Sequence, residues 1–497
     1  MRDRAAERRE FLARAQPGAC VPVARVFPSD RLTPVMLFSR MRAAGSECFL
    51  LESVEGGETV ARYTFLGTEP VARWTVEQGQ ARLERDGVVE PCAGAPLEAL
   101  ERIVRRERFV PDPDLPPLAA GAVGYLCYDA VRLFEAIPDR HPRIGAIPDA
   151  EFLLYDAVAA FDHPRQRLLL LTTLDLTDGA DVGREVDGAV ARLDRLQAFL
   201  ERPDPARREE TSDAEPFAPA MQRRTYLDAV GAVREAIAAG DVYQCVLSQR
   251  WTGRAGIDPF DVYRGLRALN PSPYLYYLET REASVLGSSP EMLVRCRGRE
   301  VETRPIAGTV ARGATPAEDA RLAETMLADP KERAEHVMLV DLARNDLGRV
   351  CEIGSVNVPR YASVEKFSHV QHLVSEVRGR LAAGRSAADA LAACFPAGTL
   401  TGAPKIRAME LIDALEAARR GIYGGAVGYF DAAGNCDLAI AIRTAVVEKG
   451  VWRVQAGAGI VADSIPEKEY AEAESKAAAI FRAIDLAREW FPAQVPS

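Results

Sequence analysis

The sequence predicts an α+β fold: a two-lobed α/β sandwich built on large, mainly antiparallel sheets flanked by helices. Three observations carry that expectation. The 497-residue chain, 48% hydrophobic and 27% charged, is long enough for several packed layers. Short β-like runs and helical periodicities are mixed without regular βαβ alternation. One charged, proline-punctuated stretch, Glu201-Arg-Pro-Asp-Pro-Ala-Arg-Arg-Glu-Glu-Thr-Ser-Asp-Ala-Glu-Pro216, lacks large apolar residues and reads as an exposed linker. The expected organisation is an N-terminal lobe over 1–200, a linker over 201–220 and a second domain over 221–497.

In the first lobe the runs Cys48-Phe-Leu-Leu, Ala61-Arg-Tyr-Thr-Phe-Leu, Phe152-Leu-Leu-Tyr and Leu168-Leu-Leu-Leu-Thr-Thr read as strands, with helical patterns at 96–106 and 184–200. After the linker, Tyr226, Val230, Val233 and Ile237 recur at helical spacing, and Gly240 is a stop signal. A strand follows, Val242-Tyr-Gln-Cys-Val-Leu-Ser248, with Gln244 and Ser248 on one face and Cys245 and Leu247 on the other. Gly121-Ala-Val-Gly-Tyr125 echoes Gly425-Ala-Val-Gly-Tyr429, and each copy reads as a strand whose glycines admit close backbone approach. Near the C-terminus Ser464-x-x-Glu467 reads as a capping box, with Pro466 in the first turn. On that helix Tyr470, Ala473, Ala477, Ile480 and Ile484 form the buried stripe, while Glu469, Glu472 and Lys476 share another face.

Composition excludes several classes. A formal charge of −10 disfavours nucleic acid, because phosphate neutralisation needs a basic face. The apolar run at 168–171 is far below the roughly 18 residues that span a bilayer, so no membrane is expected. Nine scattered cysteines without a Cys-x-x-Cys pair suggest neither a disulfide framework nor zinc, and Cys245 and Cys351 read as core residues. The first ten residues mix acids with arginines and lack an apolar signal core, so a cytoplasmic location is expected. Only six of the 62 basic residues are lysine, which draws attention to Lys405.

Two nucleotide motifs fail. Gly398-Thr-Leu-Thr-Gly402-Ala-Pro-Lys405 has the wrong spacing for a phosphate loop, and no Ser or Thr follows its lysine. After Gly457-Ala-Gly459-Ile-Val-Ala462 the helix starts too late to receive a pyrophosphate. More promising are carboxylates on two helices. Glu332 and Glu335 share one face; if Glu335 meets Glu472, their repulsion favours a hard cation such as Mg2+. His336, His369 and His372 cluster in sequence without zinc-ligand spacing, which leaves acid–base chemistry as their functional reading, while His336 and His369 individually read as satisfied structural histidines. Tyr423, Arg443 and the Gly457-Ala458-Gly459 backbone suit a small carboxylate.

Pro305-Ile-Ala-Gly-Thr309 resembles the Pro-Ile-x-Gly-Thr signature of the chorismate-utilising enzymes. The tracts Gly240-Asp-Val-Tyr-Gln-Cys-Val-Leu-Ser-Gln249, Leu286-Gly-Ser-Ser-Pro-Glu291, Glu335-His-Val-Met-Leu-Val-Asp-Leu-Ala-Arg-Asn-Asp346, Ser368-His-Val-Gln-His372 and Gly398 to Lys405 extend the resemblance across most of the chain. Together with the Tyr423 to Lys476 tract, they are similar to anthranilate synthase component I. Two positions separate its subfamilies. Gln244 stands where isochorismate- and salicylate-forming relatives carry a lysine that activates water. Ala307 stands where aminodeoxychorismate synthase carries a lysine nucleophile.

The resemblance implies conversion of chorismate and ammonia to anthranilate and pyruvate, the first committed step of tryptophan biosynthesis. It implies Mg2+ on Glu335 and Glu472, and the enolpyruvyl carboxylate on Tyr423, Arg443 and the 457–459 backbone. Gly308 and Thr309 would line the ring, and Lys476 would join the substrate site. Glu291 becomes the candidate acid for loss of the 4-hydroxyl, and His372 with Thr399 the candidates for pyruvate elimination. Ser53, Pro273, Tyr274 and Leu275 resemble a feedback pocket for L-tryptophan, with Leu275 an apolar swap for methionine. No Gly-x-Cys-x-Gly elbow occurs, so glutamine use implies a separate amidotransferase subunit (component II) and a hetero-oligomer. The alternatives are another chorismate aminase, forming aminodeoxyisochorismate or aminodeoxychorismate, and a catalytically silent regulatory subunit.

Overall fold

The computed structural model describes residues 4–45, 47–53, 62–177, 179–205, 214–366 and 370–491, with only the backbone of Thr309. His369, Ala61 and residues 206–213 of the expected linker lie outside the described residues.

Among the described residues two 12-stranded sheets dominate. The first runs Cys20–Pro28, Arg167–Asp175, Ala157–Asp162, Tyr63–Thr68, Cys48–Glu52, Tyr274–Glu279, Ser284–Ser289, Thr444–Glu448, Val451–Ile460, Gln244–Arg254 and Glu215–Pro219. Gly402–Ala403 pairs beside Gln244. The second runs Ile306–Ala311, Val370–Arg380, Glu300–Thr303, Met292–Arg297, Cys436–Ile440, Ala426–Asp431, Gly121–Leu126, Ala150–Tyr155, Ala72–Glu77, Gln80–Arg85 and Val88–Pro91. Asn357–Lys366 pairs on Val370–Arg380. Every pairing between these strands is antiparallel, as the mixed, non-alternating pattern predicts.

The sheets share one apolar layer, in which Phe49, Tyr276 and Val285 of the first meet Tyr125, Leu153 and Val427 of the second. Helices cover the outer faces. Pro34–Ala44, Val182–Glu201, Pro259–Leu269 and Pro466–Trp490 pack on the first sheet through Phe38, Leu193, Tyr263 and Ile480. Pro96–Val104, Pro330–Gly348 and Ala387–Cys394 pack on the second through Leu100, Leu347 and Leu391. Each such fully buried side chain contributes about 1.5–3 kcal/mol.

Both sheets draw strands from either side of the expected linker, so the 1–200 and 221–497 segments interleave. Cys48–Glu52 pairs with Tyr274–Glu279, and Gly121–Leu126 pairs with Ala426–Asp431. The echoed pentapeptides are thus direct neighbours, with Gly124 opposite Gly428. A Cβ on Gly124 would lie 1.9 Å from the Glu151 carbonyl oxygen, and one on Gly428 2.1 Å from that of Asp437. Within the expected linker, Glu215–Pro219 forms an edge strand on Gln244–Arg254, where unpaired backbone of that strand offers partners.

The amphipathic helix is Arg223–Ala238, and Gly240 closes it at φ +84°. The capping box at 464–467 does not form. Ser464 Oγ accepts from the Val461 N–H at 3.0 Å, so Pro466–Trp490 starts after Ile465 without a side-chain cap. Its buried stripe is the expected one. All nine cysteines are unpaired thiols, with Cys245 and Cys351 buried. No helix among the described residues is long and apolar enough to cross a membrane.

Candidate active site

The site gathers on the strand carrying Gly457 and Gly459. Alternation on Val451–Ile460 turns the Ala458 methyl into an apolar cluster and leaves the two glycines on the opposite face. Gly457 is kept bare by its neighbours: a Cβ there would lie 2.4 Å from the Leu247 carbonyl oxygen and 3.0 Å from the Tyr423 hydroxyl. A Cβ on Gly459 would lie 2.6 Å from Gln244 Nε2. Beneath them Glu416 accepts from Ser248 N–H and Oγ, both at 2.8 Å, and pairs with buried Arg420 at 2.6 Å. That network fixes the strand paired with Val451–Ile460.

A carboxylate approaches from each of two helices. Gln244 Nε2 donates to Glu335 Oε1 at 3.4 Å, while Gln244 Oε1 is buried without a partner among the described residues. Lys476 Nζ donates to the Gly457 carbonyl at 3.0 Å and pairs with Glu472 at 2.7 Å. Each helix adds a second acid. Burial raises the Glu332 pKa, helped by Glu335; burial likewise raises that of Glu469, helped by Glu472. Lys331 feels both Glu335 and Glu469 and bridges to Asp463 at 3.2 Å, tying the two helix starts together. Among the described residues no three His, Cys, Asp or Glu side chains form a closed metal site. A partly buried Glu335 and an exposed Glu472 are oxygen ligands of the kind that suit Mg2+, which keeps much of its hydration.

Glu291 lies in the short link between the strands Ser284–Ser289 and Met292–Arg297. It is buried, and burial pushes its pKa up to about 7 against the opposing pull of Thr399, Lys476 and Arg443. Thr399 Oγ1, on the turn Gly398–Leu400, donates to Glu291 Oε1 at 2.9 Å. A carboxyl held near neutrality is suited to donate a proton.

Pairing of Ile306–Ala311 with Val370–Arg380 slips between Ala307 and Thr309. The extra residue is Gly308, at φ +53°, a bulge that turns its carbonyl toward His372 Nδ1 at 3.1 Å. The carbonyl must accept, so Nδ1 carries the proton and Nε2 is the ring's acceptor. Burial lowers the His372 pKa and nearby Arg443 lowers it further, which keeps the ring neutral at pH 7. Arg443 itself adopts φ +49°, unusual for a side-chain-bearing residue, and its carbonyl accepts from the Ser288 N–H at 3.2 Å. Ala307 is buried and presents only a methyl.

The geometry thus brings together Gln244, Glu291, Gly308, Glu335, His372, Thr399, Tyr423, Arg443, Gly457, Gly459, Glu472 and Lys476. A family model for chorismate binding enzymes matches residues 46–482. The chain belongs to the chorismate-binding enzymes. At 46% identity it is similar to anthranilate synthase component 1 of Mycobacterium tuberculosis, over 97% of this chain and 96% of the relative. The same protein of Streptomyces coelicolor is also 46% identical, over 93% of this chain and 89% of the relative. Among solved structures, anthranilate synthase component I from Streptococcus pneumoniae TIGR4 superposes with TM-score 0.76 at 37% identity, covering 91% of this chain and 98% of that one. The isochorismate synthase MenF of Escherichia coli, at 19% identity, 97% and 99% coverage and TM-score 0.70, shares the fold.

Other residues singled out from the sequence lie away from this site. His336 is buried, with Nε2 2.6 Å from Ser375 Oγ, as its structural reading expects. Lys405 pairs with Asp346 at 2.9 Å and ties two helices together. Ser53, Pro273, Tyr274 and Leu275 converge on a separate cavity of about 450 Å³. There Ser53 Oγ is buried without a partner among the described residues, and Tyr274 Oη donates to Asp437 Oδ1 at 3.0 Å. Sequence reasoning missed Asp437 and the Glu416–Arg420 support, since one buried acid in a strand carries no local signal.

Proposed function

We propose that this enzyme converts chorismate and ammonia to anthranilate, pyruvate and water. The observation that carries the reading is the buried Glu291, held near neutrality by burial and bonded by Thr399, in a site with no amine at position 307 or 244. Ammonia from outside attacks ring carbon 2, and Glu291 gives its proton to the departing 4-hydroxyl, since hydroxide is a poor leaving group. His372, through Nε2, takes the proton from carbon 2 as the carbon 3–oxygen bond breaks and the ring becomes aromatic, and the enolpyruvate released takes up a proton at its methylene carbon to become pyruvate. Arg443, Tyr423 and the 457–459 backbone receive the enolpyruvyl carboxylate, with Gly308 and Thr309 beside the ring. Glu335 and Glu472 would hold Mg2+; when bound, it supplies positive charge for the ring carboxylate.

Ammonia would come from a glutamine amidotransferase subunit, so the chain should use ammonium alone but glutamine only with that partner. L-tryptophan is the inhibitor proposed for the Ser53 cavity, whose volume and apolar-plus-polar lining suit an amino acid of that size. Chorismate, Mg2+ and ammonium should yield anthranilate and pyruvate in equal amounts. Tryptophan should suppress that turnover, and Ser53→Phe should relieve the suppression by tenfold or more while leaving uninhibited turnover within twofold. Turnover that is indifferent to saturating tryptophan rejects the inhibitor assignment.

A further inference from the structure

Tyr423, whose hydroxyl faces Gly457, also lines a second void of about 50 Å³, roughly four water centres in size. Five guanidiniums line it. Four have carboxylate partners: Arg143 with Asp149, Arg419 with Asp139, Arg420 with Glu416 and Arg453 with Glu448. Arg250 differs. Its Nη1 donates to the Arg419 carbonyl at 3.2 Å, but its Nε is buried with no hydrogen-bond partner among the described residues. The acids whose charge reaches it, Glu416 and Asp129, are committed elsewhere. Glu416 serves Arg420 and Ser248; Asp129 pairs with Arg132 at 3.0 Å and accepts from the Gly421 N–H at 2.7 Å. Burial, with Arg453 nearby, lowers the Arg250 pKa, the sign of a cation lacking compensation.

A partly buried guanidinium without its anion carries a desolvation cost, and its planar fork matches two oxygens of a carboxylate or phosphate. The void is too small for a nucleotide or an amino acid with a large side chain. We propose that this cavity binds one small oxyanion, a simple carboxylate or inorganic phosphate, through the guanidinium of Arg250. The assignment is independent of the reaction proposed above.

Calorimetric titration of the full chain tests it, with inorganic phosphate and with acetate, in chloride-free buffer at fixed ionic strength. The expected result is a single site for at least one anion, with affinity reduced tenfold or more in Arg250→Met and less in Arg250→Lys. Response to phosphate alone identifies the inorganic anion; response to acetate alone identifies a carboxylate. Arg443→Met, which changes the substrate cradle, should leave the titration intact. Absence of binding to the wild-type chain overturns the proposal. So does binding that survives Arg250→Met, or that disappears with Arg443→Met and thereby belongs to the cradle. If Arg250→Met fails to fold, thermal midpoints read the same contrast: phosphate should raise the wild-type midpoint more than that of Arg250→Lys, and equal rises overturn it.

Discussion

Glu291 concentrates the chemistry into one titratable group. Its folded pKa of about 7 lies above the ordinary 4.5, so the folded state binds the extra proton between those values. Stability should therefore fall as pH rises from 4.5 to 7, by on the order of 3 kcal/mol from this group. Glu291→Gln removes that slope: unfolding in denaturant at pH 5 and pH 8 should show a smaller pH difference in the variant. The same change should lower turnover at least a hundredfold, and wild-type turnover should decline as pH rises through the Glu291 pKa. A variant that keeps full activity excludes Glu291 as the acid. At this scale the sequence was informative about residue types and silent about their backbone. Glu291, His372 and Arg443 were identifiable as candidates. The left-handed turn at Arg443 and the bulge at Gly308 were not, because both arise from pairing with distant strands.

Elements were legible where local signals act alone. The stripe Tyr470, Ala473, Ala477, Ile480 and Ile484 is buried as its spacing requires, and Gly240 ends its helix. The capping box failed because a nearer donor, the Val461 N–H, claims Ser464. Glycines divide by surroundings in a way that spacing does not reveal. Gly124→Ala drives a methyl into the Glu151 carbonyl and should destabilise the chain by about 3 kcal/mol or more. Gly231→Ala, within Arg223–Ala238 and with nothing within 4 Å, should instead stabilise by about 0.5–1 kcal/mol. Chemical denaturation of both variants checks the contrast; equal effects would contradict the close-approach argument.

Across the whole molecule, the linker marks a change in composition while both sheets pass from one side of it to the other. A segment of 221–497 alone would leave Tyr274–Glu279 and Ala426–Asp431 without their partners Cys48–Glu52 and Gly121–Leu126. Such bare edges invite aggregation. Expressed alone, 221–497 should be insoluble or lack native near-ultraviolet circular dichroism, and co-expression with 1–205 should restore both; a native-like isolated fragment would contradict the interleaving. Strand order of this kind is set by contacts hundreds of residues apart, which no local pattern encodes. The interleaving also places Ser53 and Pro273, from opposite sides of the linker, around one cavity, two strands away from Arg443.

The central claim is that positions 244 and 307 supply no nucleophile and that the site admits ammonia to chorismate. The most direct measurement is mass analysis of the product formed from chorismate, Mg2+ and 15N-labelled ammonium. Anthranilate carrying one 15N, formed with an equal amount of pyruvate, is the predicted result. An unlabelled hydroxylated product, or a labelled product that retains the enolpyruvyl group, would contradict it.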